Sequence, residues 1–246
     1  MIEIILNKQQ SISGYTIIEA FPGIGLVGPM AGSYMIEKLE MEYIGRIESE
    51  QFPPIVAIHK NTPMFPARIY KSDKYKLLLF ISEFTIPTTL VHQLSDELLT
   101  FARKYSIKQI ISVGGMPAQK PSETIYLTSI NKDVIKKALK NGLKQISEGV
   151  VAGVSAGLLV KSEQFGIETL NILVEVDPNL TDPINAEKAI KGLNKVLDIN
   201  IDLNELDNEA KQVEAKIREM LKKVKDSHET YNSSDNISDQ GPSMYA

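Results

Sequence analysis

No cysteine and no tryptophan occur in the 246 residues, and histidine appears only three times. The missing thiols exclude disulfides, thiol nucleophiles and thiolate metal sites together, and they fit a reducing interior. With histidine confined to positions 59, 92 and 228, metal chemistry would fall to carboxylates. Glu42, Glu48 and Glu50, or Asp177 and Asp182, read instead as solvated faces and helix caps. We therefore expect no metal and no cofactor. Basic residues are not in excess: 27 Lys and Arg stand against 31 Asp and Glu, a net charge of −4. A broad nucleic-acid footprint is not expected from such a balance. No apolar run approaches the roughly 20 residues of a membrane helix. The opening Met1-Ile2-Glu3-Ile4-Ile5-Leu6 lacks the basic start and long apolar core of a signal peptide. The expectation is a soluble cytoplasmic protein with no membrane partner. No G-x-x-x-x-G-K-[ST] occurs, so ATP-driven work is not expected either.

What is present is an alternation of short apolar runs and amphipathic stretches. Residues 2–6, 15–20, 41–47, 55–58 and 67–70 read as strands, several of them bounded by prolines at 53, 54, 63 and 66. Residues 76–81 form a near-continuous apolar run, as in a strand buried on both faces. Leu90, Val91, Leu94, Leu98, Leu99 and Ala102 lie on one face of a helix over 88–105. A second buried strand, 109–113, stops at Gly114-Gly115. Residues 132–141 read as a helix closed by Asn141-Gly142, the glycine-rich stretch 149–166 as half helix, and 169–176 as a last strand. Asp182-Pro183 supplies an N-cap and a first-turn proline for a helix carrying Ala186, Ile190, Leu193 and Leu197 on one side. Strands alternating with helices predict an α/β domain over residues 1–200, with a mainly parallel sheet flanked by helices.

The segment 201–226 stands apart. Asp202 and Glu205 form a D-x-x-E version of the capping box. Leu203, Leu206, Ala210, Val213, Ile217, Met220 and Val224 then follow at alternating spacings of three and four. This is a heptad seam of about three heptads. It predicts a helix that either pairs with another copy or packs on its own domain, with Leu206, Val213, Ile217, Met220 and Val224 as the oligomer-forming candidates. Residues 227–246 are polar, contain a Gly-Pro pair and have no hydrophobic period, so they are expected to be a flexible tail.

Two glycine motifs carry possible chemistry. Gly23-Ile24-Gly25-Leu26-Val27-Gly28 is a literal G-x-G-x-x-G between a strand and a helix. It can place a pyrophosphate at a helix N-terminus or can serve only a tight turn and close packing. Gly114-Gly115 is the second glycine pair at a strand end. A nucleoside- or dinucleotide-binding enzyme using this loop is the alternative reading. Gly153-Val154-Ser155-Ala156-Gly157 is a literal G-x-S-x-G, which in a hydrolase needs an acid and a histidine. His228 falls in the tail, and His59 and His92 are better explained as surface or packing residues. The glycines at 149, 153 and 157 suit close helix packing. No catalytic residue is assigned.

Several segments in order resemble the archaeal proteasome assembly chaperone family. They are Phe21-Pro22-Gly23 through Gly28 with the small-residue helix after it, the strand 76–81 leading to Ser82-Glu83, and Val113-Gly114-Gly115-Met116-Pro117. The glycine-rich block 149–157 and Asp182-Pro183 with Ala186 complete the set. The resemblance implies a sheet-and-helix domain similar to nucleoside phosphorylases, without their catalytic residues, that self-associates and binds proteasome subunits. The chain then ends Met244-Tyr245-Ala246, which looks like the hydrophobic-tyrosine-any-residue terminus of proteasome activators. That resemblance implies docking between α subunits of the core particle. Ala246 would supply the carboxylate, Tyr245 the ring and hydroxyl, and Met244 an adaptable apolar contact. The expectation is a homo-oligomer, with a tetramer as the working number, acting as assembly chaperone, activator or both.

Overall fold

The apolar run predicted at 76–81 forms β7 (Leu77–Ser82), a strand buried at all six positions. It lies in the middle of a nine-stranded sheet. The structure, a computed structural model, describes residues 1–59 and 61–203. The heptad residues 206–224 and the terminal Met244, Tyr245 and Ala246 lie outside the described residues.

The sheet centre is parallel. β7 pairs with β2 (Thr16–Ala20), β2 with β8 (Gln109–Pro117), and β8 with β11 (Glu168–Val176). On the β7 side, β6 (Ala67–Ser72), β3 (Glu42–Ser49) and β1 (Ile2–Leu6) add on as antiparallel neighbours. On the other side, β9 (Ile125–Thr128) runs antiparallel to β11, and the two-residue β10 (Lys144–Gln145) runs parallel to β9. The order is β1-β3-β6-β7-β2-β8-β11-β9-β10. The sheet is thus mixed: its four central strands are parallel and covered on both faces, and the edge pair β9–β10 is parallel as well. A separate hairpin pairs β4 (Ala57–His59) with β5 (Thr62–Met64).

The period-2 alternation of the central strands assigns the two layers. Ile18, Leu79, Ile111 and Ile172 face α1 (Val27–Lys38), α3 (Lys132–Lys140) and α5 (Pro183–Leu197). Ile17, Leu78, Phe80 and Ile110 face α2 (Val91–Lys104) and α4 (Val154–Phe165). Asp182 caps α5 as its sequence predicts, its carboxylate accepting the Ile184 N–H at 3.0 Å. Asn131 caps α3 in the same way, accepting from Asp133 and Val134.

The glycines differ from the sequence reading in two places. β8 does not stop at Gly114 but continues to Pro117, in register with Val176 of β11. The glycines stay in the strand because the neighbouring loop needs the room their missing side chains leave, as described below. Only Gly157 of the glycines at 149, 153 and 157 packs between helices. α4 begins at Val154, so Gly149 lies in the loop before it, and Gly153 supplies a left-handed φ of 74° at the cap.

The chain direction places α1, α2, α4 and α5 with their N-termini at the carboxyl end of the parallel strands. The loops 21–26, 83–90, 118–124 and 177–182 and the β4–β5 hairpin gather at that end too. This is the end of an open α/β sheet where ligands are bound.

Candidate functional site

The glycine motif at the end of β2 folds as one tight turn before α1. Gly25 takes a left-handed φ of 68°, and Leu26 follows at 53°. A side chain at Gly28 would meet the carbonyl oxygens of Val113 and Phe21 at 2.9 and 3.0 Å. One at Gly25 would lie 3.1 Å from the Val176 side chain. At Gly115 it would stand 2.3 Å from the Ile24 carbonyl oxygen. The turn is therefore clamped onto the ends of β8 and β11. Gly114 has ordinary space, with Leu173 at 3.4 Å, and nothing lies near Gly23. In a dinucleotide site the second glycine leaves room for the pyrophosphate. Here Val176 takes that room. Gly28→Ala is expected to cost about 1–3 kcal/mol, because backbone oxygens on β8 and on the turn after β2 would have to shift. Gly23→Ala, in extended backbone and open space, is expected to stay within about 0.5 kcal/mol. Urea unfolding of the two variants checks both.

The G-x-S-x-G motif places Ser155 in the first turn of α4. Its Oγ donates to Glu19 Oε2 at 2.9 Å. Glu19 Oε1 accepts the Phe21 N–H at 3.0 Å, and Ser112 also hydrogen-bonds the carboxyl. Among the described residues no imidazole joins this cluster. His59 contacts Glu83, and His92 presents only its backbone carbonyl, to Lys161. Ser155 thus ties α4 to β2, and neither His59 nor His92 stands beside it. Burial pushes the Glu19 carboxyl above its ordinary value of 4.5, against the three hydrogen bonds that favour the ion. The folded state then binds the proton more tightly than the unfolded one. The Glu19 contribution to stability is full below the ordinary carboxylate value and is lost as pH rises from there through the raised folded value. Glu19→Gln keeps an acceptor for Phe21 and a partner for Ser155. It is expected to flatten the pH dependence of the unfolding midpoint above pH 4.5. An unchanged slope in that variant would show that Glu19 does not set it.

Sequence reading did not find the charged cluster one strand over. Arg68 of β6 and Glu83, just past β7, are 4% and 10% exposed and form an ion pair. His59, on the β4–β5 hairpin, contacts the same carboxylate oxygen and is 39% exposed. Arg68 also donates to the Phe65 carbonyl at 2.8 Å and to the Tyr70 hydroxyl at 3.0 Å. Burial opposes ionisation of Glu83, but His59 and Arg68 outweigh it and hold its carboxyl below the ordinary range. The cluster fastens the hairpin to the sheet. Buried Lys188 plays a similar part on α5, its ammonium bonding the Ser122 carbonyl at 3.1 Å and Glu123 at 2.8 Å to fix the loop 118–124. No sequence spacing signals these pairs, since each joins distant elements.

Between the ends of β8 and β11 lies an open cleft of about 340 Å³, lined by Pro117, Ala118, Gln119, Asp177, Pro178 and Asn179. It offers no cationic side chain to a phosphate. Among the described residues no three His, Asp or Glu side chains are grouped to hold a metal ion. None of the helices described is long and apolar enough to cross a membrane. The carboxyl end thus brings together Gly23, Gly25, Gly28, Gly114 and Gly115, of which Gly25, Gly28 and Gly115 are packing surfaces between a turn and two strands.

The PAC2 family model matches residues 17–221. The chain belongs to the PAC2 family. An uncharacterized relative of this PAC2 protein, MJ0106 of Methanocaldococcus jannaschii, is 32% identical over 205 residues, covering 83% of this chain and 84% of the relative. Among solved structures, Pyrococcus furiosus PbaA, an archaeal homolog of proteasome-assembly chaperone, superposes with a TM-score of 0.82. It is 25% identical, with 93% of this chain and all of PbaA covered. Pyrococcus furiosus PbaB, an archaeal proteasome activator, shares the fold at a TM-score of 0.74 and 22% identity, covering 89% of this chain and 98% of PbaB. The PAC2 fold is thus the mixed sheet with helices on both faces described above.

Proposed function

We propose that this PAC2 protein is an ATP-independent, homo-oligomeric binder of the proteasome core particle that acts in its assembly, its activation or both. The observation that carries the reading is the likeness to PbaA over nearly the whole chain. The terminal Met244-Tyr245-Ala246 supports it independently, because it has the form of a captured C-terminal recognition peptide. In this reading residues 1–200 are the body, 201–226 a helix serving self-association, and 227–246 a flexible tail. Ala246 gives its carboxylate to a cation on an α subunit, Tyr245 packs its ring, and Met244 fills an adaptable slot. Residues 227–243 have a coil reach of roughly 23 Å, so one body can serve separated pockets. Seats of action are cytoplasmic, where core particles work. Co-sedimentation of the purified chain with archaeal core particle tests the proposal.

The nucleotide-binding alternative receives no support from the space around the glycine turn. NAD, nucleosides and phosphate are each expected to leave the melting temperature unchanged at millimolar concentration. A saturable rise with any of them, abolished by Gly23→Ala, would restore that reading.

A further inference from the structure

The last described residues limit where the chain goes next. Asp198 closes α5 with a left-handed φ of 56° and reverses the chain. Ile201 then lies back against the final turn of α5, where the Asn194 side chain grips its backbone. Oδ1 accepts the Ile201 N–H at 2.9 Å, and Nδ2 donates to the Ile201 carbonyl at 3.1 Å. The Ile201 side chain is buried in the core layer of α1 and α5. One residue on, the Asp202 carbonyl accepts the Tyr34 hydroxyl of α1 at 2.7 Å, and the Asp202 carboxylate lies 3.9 Å from Lys38. The chain has therefore doubled back into the outward groove between α5 and α1, heading for the carboxyl end of the sheet. Leu203, the first residue of the heptad seam, packs onto the same core layer.

Heptad period alone does not decide between a second copy and the chain's own domain. The placement of Leu203 does. In a helix opened by Asp202, Leu206, Ala210 and Val213 fall on the face of Leu203, which is turned toward the body. The groove continues in the right direction to receive them. Met30 follows Lys38 and Tyr34 at four-residue spacing, one turn nearer the carboxyl end, and like Tyr34 it is 1% exposed. At 1.5 Å per residue, Tyr34 stands about 10 Å from the start of α1, and a helix over 204–213 spans about 15 Å. That length brings Val213 level with Ile24 and Ile184, which stand exposed at the starts of α1 and α5. The family match likewise runs past the described residues, to 221.

We propose that residues 204–213 form a further helix of the domain, seated seam-inward in the groove between α1 and α5 of their own body. The chain then leaves the body at the carboxyl end of the sheet. Ile217, Met220 and Val224 fall beyond the groove and remain for a second copy. The terminal residues 244–246 are carried from the carboxyl end, so that end faces whatever the tail binds. None of this depends on which partner that is.

The chain has no cysteine, so two introduced thiols are its only ones. Ser33→Cys on α1 and Asp207→Cys beside the seam come within reach of a short bis-maleimide, because packed helices lie roughly 8–10 Å apart. In the full chain the double variant is expected to cross-link within one molecule, keeping the monomer's mass, with peptide mass spectrometry locating the link at 33 and 207. The two single variants, co-expressed, are expected to give no cross-linked dimer. A dimer from that pair would place the segment on another copy, and a double variant without the internal link would place it off the groove; either result overturns the proposal. Leu206→Asp supplies a second readout in the full chain. It puts a charge into the groove and is expected to lower the melting temperature by roughly 5–10 °C. The fall should be the same at high and low protein concentration, since the contact lies within one molecule. No fall, or one that changes with concentration, would also overturn the proposal.

Discussion

Tyr245→Ala is expected to lower the apparent affinity for archaeal core particle by at least about 100-fold while leaving the oligomer's mass unchanged. The size of the effect follows from two steps. A buried aromatic anchor at the centre of a small recognition site contributes roughly 2 kcal/mol or more, a factor of about 30 for one tail. Tails on one oligomer bind together, and simultaneous docking multiplies affinity by about 10²–10⁴ when the geometry allows it. Weakening every tail at once therefore removes the avidity as well as the single contact. Tyr245→Phe keeps the ring and loses only the hydroxyl, so it should fall between the parent and the alanine variant. Surface plasmon resonance with immobilised core particle measures all three. Equal binding by the parent and by Tyr245→Ala would remove the terminal tyrosine from the mechanism.

Glu83→Ala is expected to destabilise the fold by about 3–5 kcal/mol, because it strands the Arg68 guanidinium inside the protein without its carboxylate. The pair is shielded on both sides, at 4% and 10% exposure, and the Phe65 carbonyl and the Tyr70 hydroxyl cannot neutralise the charge they accept. Against total stabilities of roughly 5–15 kcal/mol, that loss brings the protein close to unfolding at growth temperature. The melting temperature should fall by on the order of 10 °C. His59→Ala should cost no more than about 1 kcal/mol, since the imidazole is half exposed and screened by water. The pH dependence follows from the carboxyl held below its ordinary range. Its stabilisation is fully present above the ordinary carboxylate value and is lost as pH falls through the lowered folded value. Glu83→Gln should therefore reduce the acid sensitivity of unfolding. Denaturant titrations of the three variants at neutral and acid pH check these outcomes, and a Glu83→Ala loss below 1 kcal/mol would mean the cluster relaxes onto water.

The parts of the fold set by hydrophobic period were legible in the sequence. β7 announced itself as an uninterrupted apolar run, α2 by a single apolar face, and α5 by Asp182-Pro183 at its start. What period cannot show is a contact between distant segments. Gly114 and Gly115 read as a strand end because glycine weakens a strand. In the structure Gly115 stays in β8 because the Ile24 carbonyl needs its empty side-chain position. β9 and β10 went unread because they are only four and two residues long, and only pairing with β11 and with each other makes them strands. The same limit hid the charged cluster. Nothing in the spacing of Arg68, Glu83 and His59 predicts that β6, β7 and a hairpin will meet there. The glycine turn illustrates the opposite case. Its pattern was plain in the sequence, but only the position of Val176 against Gly25 distinguishes a packing device from a phosphate cradle.

The most direct measurement is whether the intact chain binds purified archaeal core particle at all, read by mass photometry beside a chain lacking residues 244–246. The account predicts a complex with the intact chain, stable at micromolar concentration, that disappears or falls below detection when the three residues are removed. Binding that survives the truncation would move the interface onto the α/β body. No complex with either chain would contradict the central claim.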